Sequence, residues 1–86
     1  MPKYRVDVAP AATRAIDALD GSIRPRVIRK IMGLKEEPRP AGCKKLAGSD
    51  NLWRIRMGSY RIVYTIEDAE VLVLVTRVAH RREVYR

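Results

Sequence analysis

Eighty-six residues allow one hydrophobic core and leave little room for a second domain, a cofactor cradle or a deep substrate pocket. Eighteen Lys and Arg against ten Asp and Glu give +8, and thirteen of those cations are arginine, whose planar fork suits phosphate better than an ammonium does. That balance points to nucleic acid, an acidic protein or an anionic surface as partner, and the 47% hydrophobic content excludes a disordered chain.

Residues 3–9 alternate, with Tyr4, Val6 and Val8 on one side and Lys3, Arg5 and Asp7 on the other, which predicts a half-buried strand. Pro10 opens a helix, where its missing N–H costs nothing, and Ala12, Ala15, Ile16 and Leu19 fall at helical spacing. Asp20-Gly21-Ser22 is expected to close that helix and begin the next, Gly21 as C-cap and Ser22 as N-cap. The second helix carries Ile23, Val27, Ile28, Ile31 and Leu34 on one stripe, with Arg24, Arg26, Arg29 and Lys30 outside it. Pro25 is tolerated in its first turn, and Pro38 ends it. From there a loop is expected to run to about Asn51.

Three strands follow, over residues 52–57, 60–67 and 71–78. Gly58-Ser59 is a two-residue link with Gly first and predicts a type II′ turn; residues 68–70 make the second turn. VLVLVTRV is apolar at both parities and reads as an interior strand. The order is β-α-α-β-β-β: an α+β domain over residues 1–86, with a two-helix hairpin packed on one face of a small, mainly antiparallel twisted sheet.

The Gly58-Ser59 turn sets Met57 opposite Tyr60, Arg56 opposite Arg61, Ile55 opposite Ile62 and Arg54 opposite Val63. Trp53, Ile55, Met57, Tyr60, Ile62 and Tyr64 then form an apolar face toward the helices, and Arg54, Arg56 and Arg61 form a basic patch on the other. Like charges directly opposed destabilise a sheet by roughly 0.2–1 kcal/mol. The patch therefore reads either as a solvated face, where screening makes that cost small, or as a site for an anion that removes it.

The terminal AHRREVYR adds Arg81, Arg82 and Arg86 to the cations, together with His80 and Tyr85. Histidine changes charge near neutrality and a tyrosine can stack on a base or donate a proton, so this set suits phosphodiester cleavage without a metal. One His, one Cys and scattered carboxylates lack metal-ligand spacing, and neither a glycine-rich phosphate loop nor a nucleophilic triad is present. No metal and no cofactor are expected. Cys43, the single cysteine, excludes an intrachain disulfide and fits a reducing compartment. Charges at Lys3, Arg5 and Asp7 argue against a signal peptide, and the longest apolar run, residues 71–75, is too short to cross a bilayer. A soluble, cytoplasmic protein with no membrane contact is expected.

Several pieces together, KKL before a small loop, WRIRMGSYRIVY, the V-x-V-x-x-V strand and the terminal HRREVY, resemble the RelE/ParE superfamily of bacterial toxins, and its RelE-like branch in particular. The resemblance covers about half of the chain, and the preceding strand and helices fit the same fold. It implies the toxin of a type II toxin–antitoxin system: an mRNA endoribonuclease that enters the ribosomal A site and is held inactive by a cognate RelB-like antitoxin. By motif, Arg54, Arg56, Arg61, Arg81 and Tyr85 match functional positions, and His80 falls where some relatives carry a catalytic histidine. The founding member has lysines at the places of Arg54 and Arg56. Arginine holds its proton, so these two suit charge stabilisation, and the general base is left to His80 first and Glu83 behind it.

The reaction this implies is in-line attack of a 2′-OH on the adjacent phosphate, giving a cyclic phosphate and a free 5′-OH. Arg56 and Arg61 would brace the phosphate oxygens, with Arg54 or Arg81 alongside. Lys44, Lys45 and Arg82, with Arg26, Arg29 and Lys30 of the second helix, would grip ribosomal RNA. Two other readings remain open: a ParE-like inhibitor of DNA gyrase on the same fold, and a nucleic-acid-binding relative without activity.

Overall fold

The computed structural model describes residues 3–48 and 51–80. Its elements are strand β1 (Arg5–Val8), helix α1 (Pro10–Asp17), helix α2 (Arg24–Met32) with a single 3-10 turn behind it, and strands β2 (Lys44–Lys45), β3 (Leu52–Met57), β4 (Tyr60–Glu67) and β5 (Leu72–His80). The strands form one sheet in the order β1-β5-β4-β3-β2. β1 runs parallel to β5 and every other pair is antiparallel. As VLVLVTRV predicts, β5 is interior. The two helices cover one face, where Ala12, Ile16, Val27, Ile31 and Leu34 pack on Ile55, Met57, Ile62, Tyr64, Ile66, Val73, Val75 and Val78.

The β3–β4 pairing follows the expected register at every position, Met57 with Tyr60 through Leu52 with Thr65. Gly58 has φ 62° and Ser59 does not share that left-handed region, which is the type II′ pattern. Along β5 the register slips by one residue opposite Val63 and Tyr64. Thr76 is the extra residue, and its hydroxyl donates to the Val63 carbonyl at 3.2 Å. Val73, Val75 and Val78 can therefore all face the helices although their spacing breaks the two-residue period.

Three local expectations are corrected. Gly21 and Ser22 are not caps: α1 ends at Asp17, α2 begins at Arg24, and Ile23 precedes it with no side-chain cap. Instead the Arg24 guanidinium reaches back and donates to the carbonyls of Ile16 (3.3 Å), Asp17 (3.1 Å) and Leu19 (2.8 Å). A cation on the carbonyls at a helix C-terminus adds to their hydrogen bonding and complements the helix dipole. Arg24→Ala is expected to lower unfolding stability by about 1–2 kcal/mol, read by urea denaturation.

Ile28 leaves the buried stripe and is 43% exposed, as is Met32 one turn on. The stripe of Val27, Ile31 and Leu34 is narrower than expected because a helix of nine residues touches the sheet along a single seam. The loop after Pro38 is not continuous either: Lys44 and Lys45 pair with Arg54 and Trp53 as the edge strand β2.

Candidate nucleic-acid interface

Paired residues in neighbouring strands project to the same side of a sheet. Arg54, Arg56 and Arg61 therefore share the face away from the helices, and Lys44, opposite Arg54, joins them. Lys45 pairs with Trp53 and takes the other side. Sequence reasoning missed Arg77, which pairs with Val63 and so stands on the same face, diagonal to Arg61. The acidic residues of this face, Asp7 on β1 and Glu67 at the end of β4, lie toward the opposite end from the Gly58-Ser59 turn. Lys44, Arg54, Arg56 and Arg61 are thus gathered toward the turn end of this face, while Arg5 stands at the other end with Asp7 and Glu67.

These cations differ in their surroundings. Arg56 is exposed, whereas Arg54 and Arg61 are each only 5% exposed. A solvated patch therefore describes Arg56 and not its two neighbours. Arginine stays charged when buried, and a charge in low-dielectric surroundings acts more strongly on an anion brought to it than one in water. The energy of placing guanidinium groups there is a cost to folding that an apolar residue would not incur.

Where β2 ends, the outer edge of β3 has no strand partner beyond the Lys44–Arg54 pair among the described residues. A cavity of about 290 Å³ opens there, lined by Lys30 of α2, Ala41, Gly42, Lys44, Arg54, Ile55 and Arg56. Four of those residues are cations and none is an acid. Gly42, at φ 89°, is in the left-handed region that glycine occupies without strain, and its backbone forms part of the wall.

His80 is not brought to the arginines. It pairs with Tyr60, so it projects to the helix side, where the two rings meet edge to face at 5.5 Å. There it lines a separate hollow with Ala15, Ala18, Leu19 and Val78. The expected grouping of His80 with Arg54, Arg56 and Arg61 is therefore corrected: the sheet itself separates them. Arg26 and Arg29 are exposed on α2. Arg81, Arg82, Glu83 and Tyr85 lie outside the described residues.

The segment that walls the cavity is tied down where it begins, at Pro38 and Arg39. The Tyr64 hydroxyl donates to the Pro38 carbonyl at 2.8 Å, in a buried setting. Arg39 stacks on Trp53, 4.9 Å from the ring centroid, and donates to both carboxylate oxygens of Asp68 at 3.3 and 2.9 Å. Tyr4 adds a third bond to Asp68 at 2.7 Å. The Arg39 guanidinium, then the Tyr4 hydroxyl, hold the Asp68 carboxyl below the usual carboxylate range. A depressed folded pKa gives stability that is present above the unfolded value and is lost as pH falls through the folded one. Carboxyl NMR titration should accordingly place Asp68 below about 3.9, and Arg39→Ala should return it toward that value.

Comparisons with known proteins bear on the family and the fold. A family model described as the ParE toxin of the type II toxin–antitoxin system parDE matches residues 6–85. Toxin RelG of Mycobacterium tuberculosis is 33% identical over 87 residues, spanning 96% of this chain and 97% of its own. Among solved structures, the toxin–antitoxin complex RelBE2 from the same organism superposes with a TM-score of 0.82 at 30% identity, covering 92% of this chain and 99% of that one. The intact Escherichia coli RelBE complex gives 0.77 at 30% identity, covering 90% and 95%.

Proposed function

The chain belongs to the RelE/ParE superfamily of type II toxins, and we propose that it is a ribosome-dependent endoribonuclease that cuts mRNA in the A site. The observation that carries this reading is the gathering of Arg54, Arg56 and Arg61 on one end of a sheet face, two of them buried. The 2′-oxygen attacks the adjacent phosphorus, the bond from phosphorus to the 5′-oxygen breaks, and a 2′,3′-cyclic phosphate and a 5′-OH result. One proton leaves the 2′-OH and one joins the departing 5′-oxygen. Arg61 and Arg56 stabilise the charge that builds on the non-bridging oxygens, with Arg54 behind them and Arg81 from the terminal segment alongside.

His80, on the far side of the sheet, is set aside as the base, and that role passes to Glu83 or Tyr85. The ribosome supplies the in-line geometry that a protein without a deep cleft cannot impose. Arg26, Arg29, Lys45 and Arg82 grip ribosomal RNA through its phosphates. A RelB-like antitoxin is the proposed partner, since the neighbours named above were solved as RelBE complexes. No helix among the described residues is long and apolar enough to cross a membrane, and a cytoplasmic site of action fits the target.

One observation favours a second reading: the matching family model is named for ParE, which suits an inhibitor of DNA gyrase. Primer extension on a defined mRNA in a purified translation system, with and without ribosomes, separates the two. Cuts within the A-site codon that require ribosomes support the endoribonuclease. Absence of cuts, with inhibition in a DNA supercoiling assay, would replace it by the gyrase inhibitor.

A further inference from the structure

We propose that the cavity at the open edge of β3, between Lys30 of α2 and Lys44 of β2, is a second phosphate subsite that holds a flanking backbone phosphate of the RNA strand, apart from the scissile phosphate at Arg61. The inference rests on the endoribonuclease reading and adds to it a binding site and two residues. Lys30 and Lys44 are thereby taken out of the general surface that grips ribosomal RNA and assigned to the substrate strand.

Three features carry it. First, the lining is chemically one-sided: Lys30, Lys44, Arg54 and Arg56 converge on about 290 Å³ with no carboxylate among the lining residues. The ion pairs Lys3–Glu36, Arg5–Asp7 and Arg39–Asp68 lie elsewhere. Lys30, Lys44 and Arg56 thus face the cavity without a counter-charge from any of those pairs, and an anion is the ligand such a lining accepts.

Second, the site is built from separate parts of the fold and is not a run of basic sequence. A helix, a loop and two strands each contribute one wall. The loop wall is anchored by the Tyr64–Pro38 bond and by Arg39 on Asp68 and Trp53. Gly42 presents bare backbone to the space, so the wall needs no side-chain movement to admit a ligand. Anchoring of this kind lowers the ordering cost of binding.

Third, the cavity is continuous with the arginine face but does not include its centre. Arg54 and Arg56 line it, whereas Arg61, one strand further in, does not. A strand of RNA crossing from β3 to β4 would place one phosphate at the cavity and another over Arg61. Arg56, which belongs to both places, would set the spacing between them. A polyanion with regularly repeated charges satisfies both places at once, and this favours RNA over an isolated anion or a protein carboxylate.

The test is binding, read independently of cleavage. A short 2′-O-methyl oligoribonucleotide, which lacks the attacking hydroxyl, is titrated into the ¹⁵N-labelled protein, with inorganic phosphate and a poly-glutamate peptide as parallel probes. The oligonucleotide and phosphate are expected to shift the Gly42 and Lys44 amides. Lys30→Ala/Lys44→Ala should weaken oligonucleotide binding about tenfold at moderate salt. It should also reduce the slope of log K against log salt by about 0.7, the share of one phosphate on a single strand. Arg61→Ala should lower cleavage about 10²–10³-fold while leaving the Gly42 shift in place, so a failure of the catalytic reading and a failure of this one are told apart. An unchanged salt slope in the double variant overturns the subsite. So does a Gly42 shift produced as readily by poly-glutamate as by the oligonucleotide, which would make the cavity a contact for an acidic protein.

Discussion

Arg61→Ala is expected to lower ribosome-dependent cleavage about 10²–10³-fold, the usual consequence of removing one donor that meets developing oxyanion charge. Arg61 lies on β4, at the interior of the sheet, between Arg56 on one side and Ala79 on the other. At 5% exposure its guanidinium is fixed by packing, so it need not be ordered when substrate arrives. Truncation also removes the like-charge opposition to Arg56, which offsets part of the packing that is lost. Arg61→Lys keeps a charge but lacks the planar fork, and it should recover only part of the rate. Cleavage by Arg61→Ala within threefold of the parent, with both proteins folded at the assay temperature, would remove Arg61 from the phosphate. Loss of cleavage in the alanine variant with no recovery in the lysine variant would make the bidentate geometry, and not the charge, the essential property.

The fold is legible in the sequence wherever a short-range rule determines geometry. A two-residue turn with glycine first fixes a hairpin register, so both faces of β3 and β4 follow from the order of residues alone, down to the opposed Arg56 and Arg61. The β-α-α-β-β-β order follows from periodicity, which is strong in β1 and α1, and from the apolar run of β5. Where the sequence is silent, the determining contact is not local. Lys44 and Lys45 carry no apolar alternation, and they become a strand only because β3 offers them an edge. The cap of α1 comes from Arg24 on the following helix, which no motif around Gly21 can announce.

The placement of His80 turns on a single residue. Counting along β5 from the Glu67–Leu72 pair in strict alternation puts His80 on the arginine face and Arg77 on the helix face. The bulge at Thr76 exchanges them. The V-x-V-x-x-V spacing holds the signal, since a three-residue step between two core valines in a strand requires an extra residue. Followed through to positions 77 and 80, that spacing adds Arg77 to the site and takes His80 away. The burial of Arg54 and Arg61, in contrast, has no counterpart in the pattern: WRIRM reads the same whether its arginines are covered or bathed in solvent.

Tyr64→Ala is expected to cost about 3–5 kcal/mol of unfolding stability, a larger loss than that expected of Arg24→Ala. Domains of this size hold roughly 4–13 kcal/mol in all, so the variant should be close to unfolding at physiological temperature. Two contributions add there. The ring is fully buried among the core residues of β3, β5 and the helices. Its hydroxyl is also the donor to the Pro38 carbonyl, at 2.8 Å in buried surroundings. Tyr64→Phe separates the two by keeping the ring and leaving that carbonyl without its donor, at about 1–3 kcal/mol.

Burial, and then the neighbouring Cys43 thiol, push the Tyr64 hydroxyl well above the ordinary tyrosine range. A raised folded pKa means that this contribution is complete below the unfolded value, near 10, and is lost as pH rises through the folded one. Urea denaturation from pH 7 to 11 should therefore show a decline in the parent that is smaller in Tyr64→Phe. The same bond anchors the loop that walls the basic cavity, so Tyr64→Phe should also speed hydrogen exchange at the Cys43 amide, whose bond to the Pro40 carbonyl closes that loop. A phenylalanine variant within about 0.5 kcal/mol of the parent and with unchanged exchange at Cys43 would show that the ring alone holds the segment. The preorganisation of the cavity would then have to come from Arg39 on Asp68 and Trp53.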